Sequence, residues 1–98
     1  MPHVRLSARA QSDLSRLRTF LLEKDANAAK RGLLAIREAL MPLKHSPYIG
    51  RPVEDRGDLR EVVIDFGTSG YLAMYRFEPG LDAVTILAIK HQREDDYK

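Results

Sequence analysis

Residues 59–98, LREVVIDFGTSGYLAMYRFEPGLDAVTILAIKHQREDDYK, constrain the fold more than any other part of the chain. Val62, Ile64 and Phe66 alternate with polar or exposed positions, as do Tyr71, Ala73, Tyr75 and Phe77, so each set lines one face of a strand. A last run, with Val84, Ile86 and Ala88 interleaved by Thr85, Leu87 and Ile89, is almost wholly apolar. That pattern predicts a strand buried on both faces near the centre of a sheet. Residues 67–70 and 78–82 contain the glycines that turn an antiparallel meander.

The part before the meander is helical in rhythm. Residues 3–6 alternate like a short first strand, and Ser7 is placed to cap a helix over residues 8–24. Ala10, Leu14, Leu17 and Leu21 form its apolar stripe, with Arg9, Asp13, Arg16 and Glu23 off it. Asp25 or Asn27 caps a second helix, in which Ala29, Leu33, Ile36 and Leu40 repeat the rhythm until Pro42 ends it near Met41. Gly32 lies inside that helix at a cost of ~1 kcal/mol relative to Ala, which close approach of the first helix would explain. Residues 44–58, with PYIGRP at 47–52, lack helical period and read as a surface loop in which Pro47 and Tyr48 anchor onto the core.

The order β, α, α, β, β, β predicts one two-layer α+β domain, an antiparallel sheet with a helical hairpin on one face. One hairpin cannot cover both faces, so the second face is the natural binding surface. At 98 residues with a net charge of +2 and a pI near 9.1, the chain holds one modest core and is mildly basic. It has no cysteine, which excludes disulfides and thiol chemistry and suits a reducing compartment. No stretch approaches a membrane span or a signal-peptide core, so a cytoplasmic protein is expected. Glycine-rich phosphate loops, paired metal-binding histidines and nucleophile elbows are missing from the sequence, and no metal or cofactor is expected.

With the helical hairpin, PYIGRP at 47–52, LRE at 59–61, Tyr75-Arg76 and the closing IKHQREDDY, the chain resembles the RelE/ParE superfamily of toxins from bacterial type II toxin-antitoxin systems. The resemblance covers essentially the whole chain and rests on the order and spacing of short motifs. It implies a RelE/ParE-like fold and a growth-inhibiting toxin, neutralised by a ParD-like or other DNA-binding antitoxin whose disordered segment folds onto it. ParE-like members inhibit DNA gyrase; RelE-like members cleave messenger RNA at the ribosome without metal. If RelE-like, the motifs assign catalysis to Arg60, Arg93 and Tyr97, with His91 as acid or base because histidine titrates nearest neutrality.

Each such residue also has a plain structural role. His91 can be a polar strand end, Arg93 an exposed ion-pair partner of Glu94, and Tyr97 an edge-packing terminus. Arg60 and Arg76 suit partner contact and cross-strand pairing equally, and Lys90 is a further candidate partner contact. Lys90, with Lys44, Arg51 and Arg56, is a candidate phosphate contact. Leu14, Leu17 and Leu21 are core positions first, and partner contacts where the hairpin leaves an edge. Glu94, Asp95 and Asp96 would repel RNA from the tail, which favours ParE-like gyrase inhibition over the ribonuclease. A module that binds its antitoxin without toxicity is the third reading.

Overall fold

The first helix is held to the sheet by polar groups as well as by apolar packing, and that attachment sets the arrangement of the rest. In the computed structural model, which describes residues 2–93, the elements are β1 (His3–Leu6), α1 (Ala8–Leu22), α2 (Ala26–Leu40), β2 (Arg51–Val53), β3 (Arg56–Phe66), β4 (Ser69–Glu78) and β5 (Ala83–His91). A 3-10 turn over Met41–Lys44 follows α2, with Pro42 in its first turn where a missing amide costs nothing. The sheet order is β1-β5-β4-β3-β2.

β3, β4 and β5 form the expected antiparallel meander, while β1 pairs with β5 in parallel, so the five-stranded sheet is mixed. The hairpin carries the chain from β1 across one face before β3 begins, and β5 returns alongside β1 in the same direction. The loop expected over residues 44–58 is partly strand: β2 pairs with β3, and β3 starts at Arg56. Proline tolerates an edge strand, where its missing donor faces no neighbour, and Pro52 sits on such an edge. Asp55 takes the left-handed conformation (φ 61°) in the connecting turn.

The core lies between the hairpin and one sheet face. Leu17, Leu21, Ala29, Ile36 and Leu40 pack on Ile64, Tyr71, Ala73, Tyr75, Val84, Ile86 and Ile89. Ser7 Oγ accepts from the Ala10 amide at 3.0 Å, and Asp25 Oδ1 accepts from Asn27 and Ala28, so each helix starts on a side-chain cap. Gly32 meets α1 closely: a Cβ there would lie 2.7 Å from Leu21 Cδ1.

The buried face of α1 is Ala10, Asp13, Leu17 and Leu21, with Leu14 only half-buried. Asp13, expected off the apolar stripe, is instead 7 % exposed. Its place follows from the short β1, whose pairing with β5 ends at Leu6 opposite Ile86. Beyond that point α1 supplies the missing partners. The Ser7 amide donates to Ile86 O at 2.9 Å, Ser7 Oγ donates to Leu87 O at 3.0 Å, Asp13 Oδ2 accepts from the Ile89 amide at 2.9 Å, and Arg16 Nη2 donates to Ile89 O at 3.3 Å. Buried backbone groups must be paired, and here side chains take over where a strand stops. Arg9 and Arg16 flank the Asp13 carboxylate at 3.7 and 3.4 Å, offsetting the cost of burying its charge.

Asp13→Ala is therefore expected to lower stability by about 1–3 kcal/mol, because it strands the buried Ile89 amide. Asp13→Asn keeps an acceptor and should lose less. Urea denaturation of both variants checks this; equal stability of Asp13→Ala and the parent chain would contradict the role given to Asp13.

Candidate functional site

Two clusters of polar side chains occupy opposite ends of the helix-covered sheet face. The first surrounds His91. β3 and β4 are joined by Gly67 and Thr68, between the paired residues Phe66 and Ser69. Gly67 has φ 64°, as a two-residue hairpin turn with glycine first requires. This turn sets Ser69 beside the last residue of β5, where Ser69 Oγ lies 3.0 Å from His91 Nε2. His91 Nδ1 accepts from the Arg93 amide at 3.1 Å. An imidazole nitrogen that accepts leaves the ring proton on the other nitrogen, so Nε2 donates and Ser69 Oγ accepts. That is the reverse of a base activating a serine nucleophile, in which Nε2 must accept.

The ring also stands edge-on to Tyr71, with centroids 5.6 Å apart. Gly70 leaves room for this junction, since a Cβ there would run into Ile64 O and lie 3.0 Å from Gln92 Nε2. Between this end of the sheet and the C-terminal half of α1 lies a cavity of about 580 Å³, lined by Arg16, Phe20, Lys24, Ser69, His91 and Arg93 among others. Among the described residues that line it the charged side chains are Arg16, Lys24 and Arg93, and Lys24 Nζ sits 4.9 Å from the centre of the Phe20 ring.

The second cluster fastens the loop before β2. The Tyr75 hydroxyl donates to Pro47 O at 2.8 Å and accepts from the Gly50 amide at 2.9 Å. Arg60, paired with Tyr75 across the strands, donates Nη1 to Tyr48 O at 3.1 Å and Gly50 O at 2.8 Å. Its guanidinium lies 5.2 Å from the centre of the Tyr48 ring, which in turn meets Phe77 edge-on at 5.2 Å. Pro47 thus holds the loop through its carbonyl, while the Tyr48 side chain, expected as an anchor in the core, stays 60 % exposed. Arg51 and Glu61 close the far side with a 2.8 Å ion pair.

Burial raises both Tyr71 and Tyr75 above the ordinary tyrosine value of 10.0; for Tyr75 the Gly50 hydrogen bond and the Arg60 charge oppose that rise.

Of the residues singled out in the sequence, His91 and Arg93 come together and Arg60 does not join them. Arg60 faces Tyr75 and His91 faces Tyr71, four residues apart along β4. At ~3.3 Å per residue that separation is about 13 Å. Tyr97, with Glu94, Asp95 and Asp96, lies outside the described residues. Arg76 and Lys90 belong to the other sheet face, because successive strand residues alternate in direction. There Glu78 lies 3.7 Å from both Arg5 and Arg76, and Arg76 reaches Asp58 at 3.5 Å. Leu17 and Leu21 are buried at 3 % and 6 %, whereas Phe20 (49 %) and Leu22 (41 %) form the apolar surface of α1.

Sequence reasoning passed over Asp13, Arg16 and Ser69. Asp13 falls three residues after Ala10 and four before Leu17, so helical spacing could have placed it on the buried face. Ser69 carried no signal beyond its neighbouring turn.

Two helices on one face of this mixed sheet, with apolar side chains left exposed on the hairpin, place the chain in the two-layer α+β class. The chain belongs to the family described as ParE toxin of type II toxin-antitoxin system, parDE, whose sequence pattern matches residues 4–96. It is 36% identical over 94 residues to Toxin RelE3 of Caulobacter vibrioides, covering 96% of this chain and 98% of that one. Toxin RelE1 of the same organism is 40% identical over 73 residues, 74% of this chain and 76% of the relative. In fold it is similar to a chain of the chromosomal ParDE system from P. aeruginosa (TM-score 0.77, 20% identity, 93% of this chain and 96% of that one). It is also similar to a chain of the intact E. coli RelBE toxin-antitoxin complex (TM-score 0.66, 14% identity, 96% and 100%). No helix among the described residues is long and apolar enough to cross a membrane.

Tyr75→Phe is expected to cost about 1–3 kcal/mol by leaving the buried Gly50 amide unpaired, and to speed amide exchange at Gly50. The tyrosines also predict an alkaline limit. The folded chain keeps their protons to higher pH than the unfolded chain, so unfolding releases protons above pH 10.0. Their stabilising contribution is complete below that value and declines as pH rises toward the folded values. Urea midpoints across this range should fall, and fall less in Tyr71→Phe.

Proposed function

We propose that this chain is a cytoplasmic, antitoxin-neutralised toxin that arrests growth by binding an essential target of the DNA gyrase kind rather than by cutting RNA. The observation that carries this reading is the position of Arg60. A metal-independent ribonuclease needs its proton acceptor, proton donor and phosphate-neutralising cations around one scissile bond. Here Arg60 is spent on two loop carbonyls, about 13 Å from His91 along the strand. The direction of the Ser69–His91 hydrogen bond adds no activated nucleophile. The ParE description of the family agrees with a toxin that works by binding.

The antitoxin is of the ParD-like or another DNA-binding kind. Exposed Phe20, Leu22, Leu34 and Met41 on the hairpin, with Val63 on the other face, are apolar surface that a segment folding on binding would cover. Leu14, half-buried beside Leu33 and Met41, and Arg76 and Lys90 on the second sheet face are candidate contacts at its margins.

A second reading, a RelE-like ribonuclease acting on the ribosome, is favoured by the cationic cavity beside His91 and by the RelE names of the two Caulobacter relatives. Induced expression of the parent, His91→Ala and Arg60→Ala chains separates the two. The expected result is DNA breakage and filamentation without mapped transcript cleavage, with toxicity retained in His91→Ala. Ribosome-dependent cleavage that disappears in His91→Ala would replace the proposal with the second reading, and intact antitoxin binding without any toxicity would leave only a binding module.

A further inference from the structure

Residues 46–50 form a turn in which nearly every backbone group is engaged. The Ile49 amide donates to Ser46 O at 3.1 Å, closing a turn with Pro47 in the second position, where its fixed φ fits. Pro47 O accepts from the Tyr75 hydroxyl, Tyr48 O and Gly50 O accept from Arg60, and the Gly50 amide donates to Tyr75. No larger residue can stand at position 50 without moving Tyr75, since a Cβ there would lie 2.6 Å from its Cε1. The side chains that this fastening leaves outside are apolar: Ile49 is 65 % exposed and Tyr48 60 %. The Tyr48 ring is also oriented, edge-on to Phe77 and beside the Arg60 guanidinium.

A tyrosine and an aliphatic residue on a fixed backbone have the character of an interface anchor, because little conformational entropy is left for them to lose on binding. The turn stands out from the surface, so a partner for it must be concave. A segment that folds on binding moulds itself into grooves and has no pocket of its own to offer, whereas a folded protein does. The apolar surface of the hairpin suits the first kind of partner and the tip suits the second. Charge narrows the partner further. Arg51 is balanced by Glu61, but the polar partners of Arg60 among the described residues are the two carbonyls alone. Lys44 and Glu38 border one hollow beside Ser46 without an ion pair between them. The positive charge next to the Tyr48 ring is therefore left for a partner's carboxylate.

We propose that Tyr48 and Ile49 are the anchor by which the toxin engages a folded protein target, the two side chains entering an apolar pocket whose rim carries a carboxylate facing Arg60. This rests on the reading of the chain as a toxin that works by binding. It separates the contact with the target from the surface that the antitoxin covers.

Tyr48→Ala, Ile49→Ala, Ile49→Asp and Ile49→Lys are compared with the parent chain in inhibition of supercoiling by purified bacterial DNA gyrase, in growth arrest on induced expression, and in neutralisation by the co-expressed antitoxin. Tyr48→Ala and Ile49→Ala are each expected to weaken inhibition about tenfold, the scale of one interface hot spot, and to relieve growth arrest. Ile49→Asp should lose more than Ile49→Lys, because a carboxylate at the rim repels the first. Neutralisation and the urea midpoint should stay at parent values; the Ile49 side chain makes no bond that fastens the turn, so its variants separate target contact from loop stability. Unchanged inhibition and arrest in Tyr48→Ala and Ile49→Ala would overturn the proposal while leaving the toxin reading intact. Loss of neutralisation with arrest retained would assign the tip to the antitoxin instead, and loss of a concentration-dependent self-association would assign it to a second copy. If the parent arrests growth without inhibiting gyrase, the gyrase reading falls and growth arrest alone decides the tip. Arrest of the parent through transcript cleavage would remove the binding reading and the anchor with it.

Discussion

The attachment of α1 to the free edge of β5 is the interaction on which the rest of the structure depends. β1 is too short to pair with all of β5, and an unpaired interior strand edge would bury donors and acceptors without partners. Ser7, Asp13 and Arg16 meet those groups one after another, so the helix takes the place of the missing strand. Apolar packing alone would allow α1 to slide or rotate; directional bonds to Leu87 and Ile89 fix its register. The same bonds fix the end of β5, and with it His91.

That register also decides which charges meet. Arg16, held by Ile89 O and Asp13, becomes one wall of the cavity next to His91, and Lys24, in the turn just past the end of α1, becomes another. At the other end of the same sheet face, Tyr75 and Arg60 hold the backbone of residues 47–50. One end is thus a rigidly fastened loop presenting Tyr48 and Ile49 to the outside, and the other a cationic hollow.

The second sheet face is open to a partner but is not bare. Arg5, Glu78, Arg76 and Asp58 form a chain of ion pairs across four strands at one end, and Val63, Leu72 and Met74 lie on the same face further along β3 and β4. Exposed pairs of this kind contribute little to stability. They do set a charge pattern, and a partner that covers the face must match it.

The amino-acid pattern by itself determined the two helices, their caps, the three-stranded meander and the two-layer α+β class, because hydrophobic period, capping chemistry and glycine turns act over a few residues. It also carried the superfamily, whose short motifs are spread along the whole chain. Only the tertiary structure decided the parallel β1–β5 pairing, since the partners Leu6 and Ile86 are far apart in sequence and nothing local encodes their meeting. The short edge strand β2 was hidden for the opposite reason: Pro52 and Gly50 give a loop-like local signal that edge position tolerates. Arg60 and His91 looked like parts of one site in the sequence. Strand register, which no local pattern records, separates them and brings Arg16, Ser69 and Arg93 to His91 instead.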